Sequence, residues 1–313
     1  MRNFAFYFMT VLIWGSTWIA IKFQLGTVDP MVSVVYRFAV AAALLLAWCL
    51  MRRLPMRFRR QDHFFMLLQG LLLFGFNYLL FYIAELHVTS GLAAVAFSTI
   101  LVMNMVNGAL FLRTPIAGRV VVGGALGLAG IGLVFRPEIT SFSLQNSGLT
   151  GVLCCLLATF FASLGNIISV RHQKNGLPVV QTNAYGMGYG ALGLAAVTLA
   201  MGKPYDFEAT WAYGGSLIYL SLFGSVIAFG CYLTLVGNIG AARAAYATLL
   251  FPIVALAIST VYENYIWTLS SAAGMACILA GNFWMLEKGA ARKISASIRR
   301  MLPPLWIFSR GKR

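Results

Sequence analysis

The chain has 313 residues, of which 60% are hydrophobic and only 10% charged, with a formal net charge of +15. A soluble domain carries about 25% charged residues, so this composition excludes a water-soluble enzyme and implies a polytopic membrane protein. The apolar runs are continuous and about twenty residues long, which suits helices; a membrane β-barrel would alternate in segments of about ten.

The first span is predicted over 4–23 and carries Trp14, Gly15, Ser16 and Thr17 at its middle. Its basic start resembles a secretory leader, but no small-residue cleavage site follows and Lys22 ends the run, so it reads as a retained span. A turn with Gly26, Asp29 and Pro30 leads to span 2 over 32–51, with Arg37 early in it. The connector from Arg52 to Arg60 holds five arginines. Span 3 over 64–84 carries Asn77, Tyr78 and Tyr82, and span 4 over 89–112 carries Asn104 and Asn107. These two asparagines lie three apart and share one helix face. Span 5 over 118–135 is glycine-rich but lacks the Lys and Ser/Thr context of a phosphate-binding loop, so close helix packing explains it.

The second half follows the connector from Arg136 to Gly148. Spans are predicted over 149–170, with Asn166; over 181–201; over 213–236, with Tyr232; over 242–261, with Tyr246 and Thr248; and over 268–287. Glu263 lies just past span 9. The tail, 288–313, is basic and partly amphipathic, and either adsorbs onto anionic lipid or only enforces topology. The five cysteines all lie inside apolar spans without a Cys-x-x-Cys pair, which suits small packing residues.

The halves echo each other about 150 residues apart. Trp14-Gly15-Ser16 falls opposite Leu164-Gly165-Asn166, Gly26 opposite Gly176, Tyr82 opposite Tyr232, and Leu128-Ala129-Gly130 opposite Leu279-Ala280-Gly281. Each half holds five spans. Five is odd, so the second half enters the membrane inverted, an architecture of secondary transporters. The predicted class is therefore an all-α membrane protein of ten transmembrane helices in two inverted five-helix repeats.

Orientation follows from charge. With the N-terminus in the cytoplasm, 19 of the 23 basic residues fall in cytoplasmic segments; the exceptions are Lys22, Arg37, Arg136 and Lys203. The positive-inside rule then puts both termini in the cytoplasm of a cell-membrane protein. The same distribution accounts for the net charge without a nucleic-acid partner.

In these features the chain resembles the EamA-type branch of the drug/metabolite transporter superfamily. The residues that carry the resemblance are Trp14-Gly15-Ser16, Arg37, Pro252, Glu263, Gly274 and Leu279-Ala280-Gly281. The first half departs from the pattern, with Arg113 in the place matching Glu263 and Val102 in the place matching Pro252. The resemblance implies two repeat domains, at 5–136 and 149–287, and a central cavity between them. It also implies movement of small organic solutes, often export of amino acids or other metabolites.

Transport needs a few polar groups near the midplane of a largely apolar cavity. The cavity candidates are Trp14, Ser16, Thr17, Asn77, Tyr78, Tyr82, Asn104, Asn107, Asn166, Tyr232 and Tyr246. The aromatics can shield or stack on a solute, or act as packing and interface anchors. The Asn104/Asn107 pair can bind a zwitterion or bridge two helices. Arg37 and Glu263 are candidates for gating or coupling. Lys22 and Arg37 can snorkel outward, and Arg37 can pair with Glu85 or Asp29 at the outer mouth. No midplane Asp or Glu offers a proton-coupling carboxylate. No metal spacing, nucleophile–base set or cofactor motif is present, so the expected partners are a small solute and membrane lipid. A membrane enzyme, or a sensor or scaffold, is the alternative class.

Overall fold

The computed structural model describes residues 2–113, 118–134, 136, 147–239, 241–244, 247–248, 250–281 and 283–284. Tyr246 and the tail 288–313 lie outside the described residues. Among the described residues there are helices and no strands, as the lipid setting requires: helices satisfy every backbone polar group internally.

Among the described residues, each of the ten expected spans contains a helix, span 9 only in part. The helices are α1 (Arg2–Lys22), α2 (Pro30–Met51), α3 (Arg60–Ala84), α4 (Ser90–Leu112), α5 (Gly118–Val134), α6 (Ser147–Lys174), α7 (Val179–Ala200), α8 (Trp211–Ile239), α9 (Phe251–Tyr262) and α10 (Leu269–Gly281). Six of them, α1, α2, α3, α4, α6 and α8, are long and apolar enough to cross a membrane. The helix starts follow local chemistry. Asp29 caps α2 by accepting from the Met31 amide at 2.9 Å, with Pro30 at the first helical position. Thr89 and Thr210 cap α4 and α8 in the same manner. Gly26 and Gly176, a matched pair of the repeat, both adopt positive φ in the turns after α1 and α6, a conformation that glycine adopts without a steric penalty.

The repeat extends to helix irregularities that the hydropathy pattern does not contain. Residues Gly70–Phe76 of α3 and Leu220–Ile227 of α8 are π-helical, 150 positions apart. In α4 the helix breaks at Ser98 and Thr99, whose hydroxyls donate back to the Val95 and Ala96 carbonyls at 2.7 and 2.8 Å. The corresponding region of the second half is also broken. Span 9, expected as one run over 242–261, is a short turn of helix at Ala241–Ala244 followed by α9 from Phe251. Pro252, at the start of α9, lacks the N–H that a continuous helix would need.

Glycine contacts fix how the helices lie. A Cβ on Gly130 of α5 would stand 2.6 Å from the Gly274 carbonyl of α10, and one on Gly281 would stand 2.6 Å from the Gly123 carbonyl. The register runs in opposite directions along the two chains, so α5 and α10 are antiparallel. A Cβ on Gly190 of α7 would meet the Gly70 carbonyl of α3 at 2.6 Å, and one on Gly193 would meet Leu71. Here the register advances together, so α3 and α7 are parallel. Both relations are what alternating crossings of ten spans require. Small residues let backbones approach this closely where lipid provides no hydrophobic drive for helix association.

Candidate functional site

The main core cluster gathers residues from both halves around the middle of α1. Within it lies a cavity of about 520 Å³, open solvent included. Its wall takes Trp14, Thr17, Trp18 and Ile21 from α1, spaced so that one helix face supplies all four. Leu73, Asn77, Tyr78 and Phe81 come from α3, and Phe97 from α4 at its break. The second half contributes Ala162 and Asn166 of α6, Phe229 and Tyr232 of α8, and Phe251 at the start of α9. The π-helical stretch of α3, the break in α4 and the start of α9 thus line the cavity, and α8 lines it just after its own π-helical stretch. Irregular backbone inside a membrane protein is tolerated where it is buried in protein or lines a cavity, and it marks binding sites in transporters.

The lining is mostly aromatic. Trp14 meets Phe229, Tyr232 and Phe251 at ring-centroid distances of 4.8, 4.9 and 5.7 Å. Phe97 and Phe251, from the two matched breaks, lie stacked 6.3 Å apart with an interplanar angle of 8°. The Trp14 Nε1–H donates to the Gly224 carbonyl at 2.9 Å, inside the π-helical stretch of α8. That bond holds the first half against the second at cavity level.

The polar groups are few. Asn166 Nδ2 lies 3.4 Å from both Asn104 Oδ1 and the Tyr232 hydroxyl, linking α6 to α4 and α8 by long contacts. The buried Asn166 Oδ1 and Asn104 Nδ2 have no hydrogen-bond partner among the described residues. A buried amide without its partner carries a free-energy cost that a bound polar group relieves. Thr17 donates to the Trp14 carbonyl at 2.9 Å, and Asn77 Nδ2 to the Ala158 carbonyl at 2.7 Å.

The remaining candidates lie elsewhere. Ser16 turns from the cavity to the Tyr219 hydroxyl at 2.7 Å and to backbone carbonyls of its own helix. Tyr82, opposite Tyr232 in the repeat, is fully buried and donates to Gln24 Oε1 at 2.5 Å, away from the cavity lining. Asn107 donates to Ser163 Oγ at 2.8 Å and bridges α4 to α6. Asn104 is not on the cavity wall and supports it from behind, through Asn166 and Tyr232.

Arg37 does not snorkel. It is 0% exposed, with its guanidinium 4.4 Å from the Tyr78 ring centre and Nε donating to Ser225 Oγ at 3.0 Å. Ser225 in turn donates to the Leu220 carbonyl at 2.9 Å, a π-helical contact. The position expected at the outer mouth is therefore a strut between α2 and the irregular part of α8. Asp29, an expected partner, pairs instead with Lys203 at 2.9 Å.

Glu263 belongs to a second polar group, where α1, α3 and α9 end and α4 begins. Its carboxylate accepts from the Ser90 amide at 3.1 and 3.2 Å and from the Ser90 hydroxyl, at the start of α4, where the helix dipole favours an anion. Lys22 Nζ stands 3.7 Å from Glu263 Oε1 and donates to the Glu85 carbonyl and to the Val88 carbonyl, the latter at 2.9 Å. Lys22 too is thus drawn inward. Glu85, the residue after α3, is completely buried. Burial pushes its carboxyl well above the usual carboxylate range, opposed by Lys22 and reinforced by Glu263.

Sequence reasoning passed over Trp18, Phe81, Phe97, Phe229 and Phe251 as cavity residues. Trp18 was within reach of it, because Trp14 and Trp18 are four apart and share a face. The others depend on where the helices break.

The sequence profile of the EamA-like transporter family matches residues 3–136 and 149–286. The chain belongs to that family, and it contains two of its repeats. Protein PagO of Salmonella typhimurium is 26% identical over 83% of this chain and 84% of its own. The uncharacterized inner membrane transporter YedA of Escherichia coli is 30% identical over 81% and 80%. An uncharacterized transporter of Archaeoglobus fulgidus is 22% identical over 92% and 100%. A crystal structure with 16% identity shares the fold, with a TM-score of 0.70 covering 93% of this chain and 98% of the other.

Proposed function

We propose that this EamA-family membrane transporter exports small organic solutes, amino acids or related metabolites, by alternating access. One observation carries the reading: a cavity at the middle of α1 whose wall is drawn from both halves, aromatic on most sides and polar at Asn166 and Tyr232. Such a surface suits an amphipathic solute with a compact apolar body and one polar head. Trp14, Thr17, Asn77, Tyr78, Asn166 and Tyr232 form the substrate contact set.

The two units, 5–136 and 149–287, rock against each other around this cavity. Trp14, bonded across them at Gly224, and the matched breaks at Phe97 and Phe251 are where movement of one unit reaches the solute. Both termini face the cytoplasm, which the placement of 19 of 23 basic residues supports.

An untargeted comparison of culture medium from cells with and without overexpression tests substrate and direction together. Accumulation of one metabolite class outside, abolished by Asn166→Ala with membrane insertion intact, is the expected result. Unchanged medium from cells that contain the folded protein rejects the export reading.

A further inference from the structure

We propose that Glu85 is a proton-binding site that couples protonation to closure of the end of the bundle where α1, α3 and α9 finish and α4 begins. The inference rests on the alternating-access reading, but its test does not require a known solute.

Charge is unbalanced at this end of the bundle. Two carboxylates, Glu85 and Glu263, share this region with Lys22, and the second cation that acts on Glu85, Arg37, bonds to Ser225 instead. The Lys22 ammonium and the Ser90 amide and hydroxyl all serve Glu263. Lys22 touches Glu85 only at its backbone carbonyl. Both oxygens of the Glu85 carboxyl are buried with no hydrogen-bond partner among the described residues. An isolated ionised carboxylate in such a place is strongly disfavoured, and the group takes up a proton instead. The raised pKa described above agrees with that geometry.

The charged and titratable groups that act on it come from every side. They are Lys22 of α1, Arg37 of α2, Tyr82 of α3, Cys155 of α6 and Glu263 after α9. His87 is on the same connector but exposed. Lys22 faces Glu263, and Arg37 donates from Nε to Ser225 and lies over the Tyr78 ring, its Nη1 having no hydrogen-bond partner among the described residues.

The same contacts hold the end shut. Lys22 joins α1 to the α3–α4 connector, and Glu263 joins the end of α9 to the start of α4. If this end separates, water reaches Glu85 and its pKa falls back toward the ordinary value of about 4.3. The shut form therefore binds the proton more tightly than the open form. Linkage sets the sign: low pH favours the shut form, and that preference is lost as pH rises through the shut-state pKa. Between the two pKa values, each pH unit shifts the equilibrium toward the open form by roughly tenfold. One proton is taken up as this end closes and released, as it opens, to the phase that this end faces, with no bond change beyond O–H.

Infrared difference spectroscopy of the full-length protein in lipid reads the protonated carboxyl directly, through its carbonyl stretch above the amide region. The expected band titrates above the normal carboxylate range, disappears in Glu85→Gln and persists in Glu263→Gln. Spin labels at the exposed positions Phe23 and Ile266, with the native cysteines replaced by serine, report the separation of α1 and α9. The distance should lengthen as pH rises in the parent and stay short at every pH in Glu85→Gln. A band that survives Glu85→Gln, or an unchanged pH response in that variant, overturns the proposal. If band and distance behave as expected while no solute moves, the proton site stands and the transporter reading fails.

Discussion

Replacing Asn166 by alanine separates a substrate contact from a packing contact. The side chain lies on the cavity wall, and its two contacts, to Asn104 Oδ1 and the Tyr232 hydroxyl, are both 3.4 Å long. Interhelical hydrogen bonds measured in a membrane protein average about 0.6 kcal/mol, and bonds this long contribute less. Removing Asn166 should therefore cost under about 1 kcal/mol of fold stability. A solute that uses the unpaired Oδ1 for a charged ammonium group gains more, on the order of 1.5–3 kcal/mol. At about 1.4 kcal/mol per tenfold, transport efficiency should fall by roughly tenfold to a hundredfold. The assay is efflux from proteoliposomes, with thermal unfolding measured on the same preparation. Asn107→Ala serves as control: its bond to Ser163 is short and lies away from the cavity lining. It should lower stability by about 1 kcal/mol and leave the apparent affinity unchanged. Wild-type transport by Asn166→Ala, or a collapse in its stability, refutes the assignment.

Other perturbations follow from the same contacts. Gly190→Ala drives a Cβ to 2.6 Å from the Gly70 carbonyl; backbone meets backbone there, so overpacking should cost about 1–3 kcal/mol, visible as a lowered melting temperature. Ser225→Ala removes the hydrogen bond from the buried Arg37 Nε and should destabilise by about 1.5–3 kcal/mol, with Ser225→Thr recovering part of it in the same unfolding assay. Trp14→Phe keeps an aromatic, though smaller, ring on the wall and loses the bond to Gly224. It should slow transport more than it weakens solute binding, as separate kcat and KM measurements would reveal.

Much of this architecture was legible in the chain itself. Continuous apolar runs and an odd number of spans per half led to the ten helices and their alternation, and the matched glycines marked Gly26 and Gly176, which share positive φ. The π-helical stretches in α3 and α8 were not legible, because only packing distinguishes them from the α-helix that the same residues favour. Span 9 read as unbroken for a related reason: its apolar pattern continues through the region where the helix stops. Asn166, Tyr232, Trp14 and Tyr78 could be picked out because polar and aromatic side chains at mid-span are costly or specialised. Ser16 and Asn107 share that signature, yet Ser16 lies one residue off the lining face of α1, and Asn107 lies ten residues past Phe97, the α4 residue on the wall, and turns to Ser163. Glu85 illustrates the hardest case. A carboxylate at the end of an apolar run ordinarily meets water, and only the convergence of α1, α3, α4 and α9 closes that route.

The most direct measurement loads liposomes containing the purified protein with a cell metabolite extract and follows, by mass spectrometry, which compounds leave. The account predicts that a small group of amino acids or related metabolites leaves faster than from protein-free liposomes, and that Asn166→Ala slows that group selectively. No compound leaving faster, from protein shown to be folded, would contradict it.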